Sequence, residues 1–197
     1  MCHGKQGTGK TTTILAIASY LGLDIYYVDL NGVKTNSELK MLFNYVRDQN
    51  LTNGMIVFED IDAMTKIVHK RRADELSETL SDLGEGELSL SYLLNSLDGN
   101  LCGDNTVFAM TTNHKEMLDP ALYRRGRIDV DIEFKCCDHY QFQSIYKRIF
   151  KREIPMELLS RIEENVHTPA EVIFTVVKYL FQEGATDETI LSSFSEH

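Results

Sequence analysis

The pattern of apolar and polar positions along the 197 residues changes once, near residue 137. Before that point, segments with apolar residues at helical spacing alternate with short apolar segments typical of buried strands. After it, helical spacing alone continues. Because strands that alternate with helices indicate a parallel sheet covered by helices, we predict an α/β domain over 1–137. A small all-helical domain is predicted over 138–197.

Individual elements follow from residue type and spacing. Strands are predicted where β-branched, aromatic and other apolar residues run together, and helices where apolar residues recur every three to four positions. The predicted strands cover 25–30, 55–58, 106–110 and 130–134. The predicted helices cover 10–21 and 90–97 and begin near Thr35, Asp119, Asp138, Pro155, Thr168 and Thr186. The starts at Thr35, Asp138 and Thr168 have Glu or Gln three residues later, which is the capping-box pattern.

The glycine-rich stretch GKQGTGKT over 4–11 matches the phosphate-binding loop pattern G-x-x-x-x-G-K-[ST]. Glycine lets the backbone approach an anion closely, and N–H groups at the start of the following helix bind phosphate oxygens. Lys10 supplies a charge for the β- and γ-phosphates, and Thr11 offers a hydroxyl to Mg²⁺. A merely flexible loop is the alternative, which the helical segment behind the loop disfavours. We therefore predict that a nucleoside triphosphate and Mg²⁺ bind here, with contacts from Gly4, Lys5, Gln6, Gly7, Thr8, Gly9, Lys10, Thr11 and Thr12.

Only Met1, Cys2 and His3 precede this loop, at the place where a nucleotide-binding sheet has a buried strand. Strands usually run for about five to six residues. The sequence therefore predicts a phosphate-loop NTPase fold whose parallel sheet lacks its first strand. It also leads us to expect either a fragment of a longer protein or a truncated chain.

Polar side chains follow the later predicted strands. Glu59 and Asp60 come directly after the apolar run 55–58, where carboxylates can hold the water shell of Mg²⁺ and polarise an attacking water. Asn113 follows the next strand and is suited to orienting that water. The cluster Arg124-Arg125-Gly126-Arg127 offers guanidinium groups that can offset transition-state charge, although a solvated basic turn is the alternative. Together with the loop, these residues predict a hydrolase.

The net charge of the chain limits the kinds of partner that we expect it to bind. The formal net charge of −10 disfavours a nucleic-acid or anionic-membrane surface. No apolar run approaches the ~18 residues needed to span a bilayer, and no signal peptide precedes the loop. We therefore expect an intracellular protein with no nucleic-acid partner and no membrane segment in the given sequence.

Several of these stretches resemble the AAA ATPases. LDPALYRRGRID over 118–129 is similar to their second region of homology, and TTNH over 111–114 is similar to their first sensor. The order EDID over 59–62, with SYLLNSLDG over 91–99 and MTTNH, resembles the Bcs-type members. That group is found in the mitochondrial inner membrane, where it translocates the folded Rieske iron–sulfur protein. The resemblance runs from residue 4 to about residue 150 and weakens through the helical remainder.

The resemblance implies roles at matching positions. Glu59 falls where the family has its metal-coordinating Asp, so it is expected to hold Mg²⁺ through water together with Thr11. Asp60 falls at the place of the water-activating Glu, Asn113 at the sensor, and Arg127 at an arginine finger. Val130 stands where many members carry a second finger arginine, so a two-arginine scheme is not expected.

The resemblance also implies an assembly. Family members form rings in which the helical domain is a lid over the nucleotide, and a homo-oligomeric ring with a protein cargo is the expectation here. The segment 31–34 lacks the aromatic-apolar-glycine pore loop of unfoldases, which disfavours threading of an unfolded chain. Bcs-type proteins have an N-terminal membrane helix and a further domain that this sequence does not contain. Membrane association through such a region therefore stays open.

Two functions remain to be separated. The favoured one is Mg²⁺-dependent ATP hydrolysis that drives conformational work in a ring. The alternative is a nucleotide-binding module that does not hydrolyse ATP and acts in assembly or regulation. A guanine nucleotide is disfavoured because residues 113–116, NHKE, lack the N-K-x-D guanine-binding pattern.

Overall fold

The computed structural model describes residues 1–48, 53–62, 92–93, 95–96, 106–123, 126–182 and 184–194. Arg124 and Arg125, and much of the predicted helix 90–97, lie outside these residues. Within that helix, Tyr92, Leu93, Asn95 and Ser96 are described and are helical.

In the described part of the chain, five strands form one sheet in the order β2-β3-β4-β1-β5. The strands are β1 (Cys2–Gly4), β2 (Asp24–Val28), β3 (Gly54–Phe58), β4 (Val107–Thr112) and β5 (Ile132–Phe134). The pairs β2–β3, β3–β4 and β1–β4 are parallel. The carboxyl ends of these four strands therefore lie at one edge of the sheet, which is where open α/β sheets bind their ligands.

Strand β1, which lies between β4 and β5, corrects one prediction. The sequence predicts that the sheet lacks its first strand, yet Cys2–Gly4 form β1. Cys2 pairs with Thr111 and His3 pairs with Thr112. On the other side, the Ile132 N–H donates to the carbonyl oxygen of Met1 at 2.9 Å. Neighbours on both sides supply hydrogen bonds to these few residues, and this is why so short a segment is a strand.

Six α-helices have defined bounds in the described residues. They are α1 (Lys10–Leu21), α2 (Asn36–Asp48), α3 (His139–Phe150), α4 (Met156–Leu159), α5 (Pro169–Leu180) and α6 (Asp187–Ser192). The predicted capping boxes before α3 and α5 are present, since Asp138 and Thr168 each accept from the backbone N–H three residues later. The Thr35 box before α2 is also formed.

The short helix predicted at Asp119 is a turn instead. The carboxylate of Asp119 accepts from the Ala121 N–H at 2.8 Å, and the Leu122 N–H donates to the Asp119 carbonyl at 2.9 Å. An Asp side chain that bonds its own backbone two residues on favours a turn over a helix. A 3₁₀ helix lies just before it, over Lys115–Met117.

The chain divides into two compact units. The first unit comprises Met1–His3 with Thr11–Ile132, and the second comprises Gly4–Lys10 with Glu133–His197. In the first core, α2 packs on β3 and β4 through buried residues that include Leu39, Phe43, Ile56, Phe58 and Met110. In the second core, α3, α5 and α6 meet through residues that include Phe142, Tyr146, Val172, Val176 and Ile190. The predicted division of domains at residue 137 stays a prediction.

Candidate active site

The phosphate loop of the second unit curves around the side chain of its own lysine. Lys10 is 7% exposed, and its Nζ donates to the carbonyl oxygens of Gly4 at 2.8 Å and Lys5 at 3.0 Å. The Thr8 hydroxyl donates to the Lys5 carbonyl at 2.7 Å. Gly4, Gly7 and Gly9 all have positive φ, between 83° and 137°. The loop therefore has the curvature that the glycine pattern predicts, with the ammonium group inside the curve.

The glycine at the start of the loop is required by space as well as by φ. A Cβ on Gly4 would lie 2.1 Å from the carbonyl oxygen of Phe134. Of the other predicted contact residues, Gln6 and Thr12 are exposed, while Gly9 and Thr11 are half-buried.

The loop also contacts the start of α5, which lies in the same unit. The Ala170 N–H donates to the Gly7 carbonyl at 3.1 Å, and Lys5 Nζ lies 3.9 Å from Glu171 Oε1. A backbone hydrogen bond from Thr168 is the main cause that lowers the pKa of Glu171. Sequence analysis predicts the cap but not this contact, because nothing in the local pattern relates residues so far apart in the chain.

In the first unit, Thr11 meets Glu59. The Thr11 hydroxyl donates to Glu59 Oε1 at 2.8 Å. The five residues of β3 are all buried, and Glu59 is the first exposed position after them. Since the hydroxyl proton points to the carboxylate, a lone pair of Oγ1 remains for a cation. Hydroxyl and carboxylate oxygens are ligands that Mg²⁺ prefers, so this pair fits the predicted cation.

Asp60 meets Asn113 at the ends of β3 and β4. Asn113 Nδ2 donates to Asp60 Oδ1 at 3.1 Å. Asp60 has φ of 48°, a left-handed conformation that Asp tolerates better than most residues. Its N–H donates to the Thr111 hydroxyl at 3.1 Å, which fixes this turn. The predicted base and the predicted sensor are therefore in direct contact.

A third carboxylate, which follows Glu59 and Asp60 in the chain, is buried. Asp62 is 5% exposed, and its Oδ1 accepts from the Thr112 hydroxyl at 2.7 Å and from the Asn113 N–H at 3.3 Å. Sequence analysis did not assign it a role. The available signal is its place in EDID after a buried strand, next to a strand that ends in TTN.

Arg127 lies on the turn before β5. Its Nη1 donates to the carbonyl oxygen of Ala121 at 2.8 Å, and its side chain is half-buried. It lines a cavity of about 350 Å³ in the first unit, together with Met1, Thr106, Val107, Phe108, Met110, Ile128, Asp129 and Val130. Its role as a finger stays a prediction.

Comparison with known proteins gives the family. The family model described as "ATPase family associated with various cellular activities (AAA)" matches residues 1–136. The L572 protein of Acanthamoeba polyphaga mimivirus, which carries an AAA family ATPase name, is 35% identical over 185 residues, covering 84% of this chain and 93% of L572. The chain therefore belongs to the AAA family of ATPases, which are enzymes that hydrolyse ATP.

Plant relatives are longer. The AAA-ATPase At3g28600 of Arabidopsis thaliana is 35% identical over 190 residues, which cover 90% of this chain and 39% of that protein. The HYPER-SENSITIVITY-RELATED 4 protein of the same plant is 35% identical over 181 residues, covering 87% of this chain and 30% of its own length. The chain thus spans less than half of these two proteins. Among the described residues, no helix is both long and apolar enough to cross a bilayer.

Proposed function

We propose that this chain is the ATPase module of a Bcs-like AAA machine, in which Mg²⁺-dependent ATP hydrolysis drives conformational work on a protein cargo. The Thr11–Glu59 and Asn113–Asp60 contacts are the observations that support hydrolysis, because such pairs suit a cation and an attacking water. The EDID and MTTNH stretches support the Bcs-like assignment.

Each residue has one task in this proposal. Lys10 neutralises phosphate charge, and Thr11 and Glu59 hold Mg²⁺, which supplies charge stabilisation at the phosphate oxygens when bound. Asp60 accepts a proton from the attacking water. Asn113 orients the Asp60 carboxylate through its Nδ2 hydrogen bond.

The proposal also includes a ring. AAA proteins are typically oligomeric, and we propose that Arg127 acts on the site of a neighbouring copy. An intracellular location belongs to the same proposal.

Phosphate release at saturating Mg-ATP tests the hydrolytic part. We expect steady release by the wild type, background release by Lys10→Ala, and wild-type release by Lys40→Ala, which removes an exposed lysine from α2. ATP binding by the wild type without phosphate release would favour the non-hydrolysing module instead.

A further inference from the structure

Two neighbouring strand ends of the first unit are joined by hydrogen bonds in both directions. From the end of β3, the Asp60 N–H donates to the Thr111 hydroxyl at 3.1 Å. From the end of β4, the Thr112 hydroxyl and the Asn113 N–H donate to Asp62 Oδ1 at 2.7 and 3.3 Å. The first bond fixes the backbone that carries Asp60, and the other two fix the backbone that carries Asn113.

Asp62 differs from the two carboxylates beside it. It is 5% exposed, whereas Glu59 and Asp60 are both exposed at the strand end. A buried carboxylate is costly unless hydrogen bonds compensate for the lost water. The donors described above come from the segment that carries Asn113, so the same bonds that stabilise Asp62 restrain that segment.

We infer that Asp62 is a positioning residue for ATP hydrolysis, holding Thr112 and Asn113 so that the Asn113 amide meets Asp60. It acts through Asn113, whose Nδ2 lies 3.1 Å from Asp60 Oδ1. The inference rests on the proposed roles of Asp60 and Asn113. A shift of about 1 Å in a positioned group can lower turnover by about a hundredfold.

The single substitutions separate turnover from binding. Asp62→Ala is expected to lower kcat by about tenfold to a hundredfold, with little change in ATP affinity. Asp62→Asn keeps an oxygen acceptor at the same place, and it should restore most of kcat. Thr112→Val removes the hydroxyl that donates to Asp62 and that also accepts from the His114 N–H at 3.0 Å, and it should lower kcat several-fold. Asp24→Ala, which removes an exposed carboxylate at the start of β2, is the matched control and should keep wild-type kcat.

A double substitution tests whether Asp62 acts through Asn113. If Asp62 acts through Asn113, the Asp62→Ala/Asn113→Ala protein should lose no more kcat than Asn113→Ala alone. If Asp62 has a merely structural role, the losses of kcat caused by the two single substitutions should multiply in the double variant. Melting temperatures of all variants show whether each is folded, and Thr112→Val serves if Asp62→Ala does not fold.

Failure of this inference can be distinguished from failure of the proposed function. If the wild type hydrolyses ATP and Asp62→Ala or Thr112→Val has the same kcat, this inference alone is overturned. It is also overturned if the losses of kcat from Asp62→Ala and Asn113→Ala multiply in the double variant. Absence of hydrolysis by the folded wild type, with ATP bound, overturns both the inference and the proposed function.

Discussion

The hydroxyl of Thr11 donates a 2.8 Å hydrogen bond to the carboxylate of Glu59, 48 residues further along the chain. Thr11 is the second residue of α1, and Glu59 directly follows β3. The bond leaves each group with a free oxygen lone pair for a cation or its water. It also joins Thr11 to the acidic cluster within the first unit, a contact between two features that the sequence shows separately.

Magnesium dependence tests this pair. We expect Glu59→Gln to raise the Mg²⁺ concentration for half-maximal hydrolysis by about tenfold, because the amide accepts the Thr11 bond but lacks the charge that attracts the cation. Thr11→Ala should act in the same direction. Thr13→Ala, which removes a hydroxyl one position beyond Thr12 on α1, is the control. An Mg²⁺ titration of phosphate release measures the shift, and identical midpoints for all four proteins would refute the assignment.

The loop glycine makes a stability prediction. Gly4→Ala and Gly22→Ala both place Ala at positive φ, which costs about 1–2 kcal/mol. At Gly4 the new Cβ would also lie 2.1 Å from the Phe134 carbonyl, while at Gly22 no atom lies within 4 Å. Gly4→Ala should therefore lower Tm by clearly more than Gly22→Ala, measured by circular dichroism. Equal shifts would contradict the observed packing of the loop against Phe134.

The second unit should lose stability at alkaline pH. Burial is the main cause that raises the pKa of the Cys137 thiol from its ordinary value to about 11. Because the folded state holds this proton more tightly, its contribution is fully present below the ordinary thiol pKa, about 8.5. That contribution is lost as the pH rises toward 11.

Thermal melting over this pH range measures the effect. The fall in Tm should be smaller in Cys137→Ala, which cannot ionise at this position, than in the wild type. Cys136→Ala removes the half-buried neighbouring thiol and should keep most of the wild-type fall, because burial raises the pKa of Cys137 more than Cys136 does. Parallel Tm curves for wild type and Cys137→Ala would show that the Cys137 thiol is not the group responsible.

Helix starts were predictable because their cause is local. Asp138 with Gln141, and Thr168 with Glu171, satisfy each other's backbone groups within one turn, so three residues of sequence contain the whole interaction. The sequence could not predict β1 in the same way. Cys2 and His3 form a strand only because β4 and β5 lie on either side, and such pairing across more than a hundred residues leaves no local pattern.

The positions of Asp60 and Asn113 directly after buried strands were predictable, but their contacts were not. Apolar runs that end in acids or amides indicated that Asp60 and Asn113 lie at strand ends, and parallel topology then places those ends at one edge. The support from Asp62 was not predictable, because its function depends on being buried against Thr112. The helix predicted at Asp119 was wrong because an Asp before Pro favours a helix start and a turn alike. The hydrogen bond from the Ala121 N–H to the Asp119 carboxylate selects the turn.

The central claim is that this AAA chain hydrolyses ATP in a ring, with Arg127 serving the site of a neighbouring copy. Arginine fingers contribute about 10³–10⁵-fold to turnover while adding little to ground-state binding. Arg127→Ala should therefore keep ATP affinity and lose hydrolysis, whereas Lys10→Ala should lose both.

Mixing these two variants is the most direct test. A mixed ring contains interfaces at which an intact Lys10 site receives an intact Arg127 from the Lys10→Ala copy. We predict that phosphate release by the mixture exceeds that of either variant alone, and that the specific activity of the wild type rises with protein concentration. A mixture as inactive as its components, with wild-type specific activity that does not vary with concentration, would contradict the account.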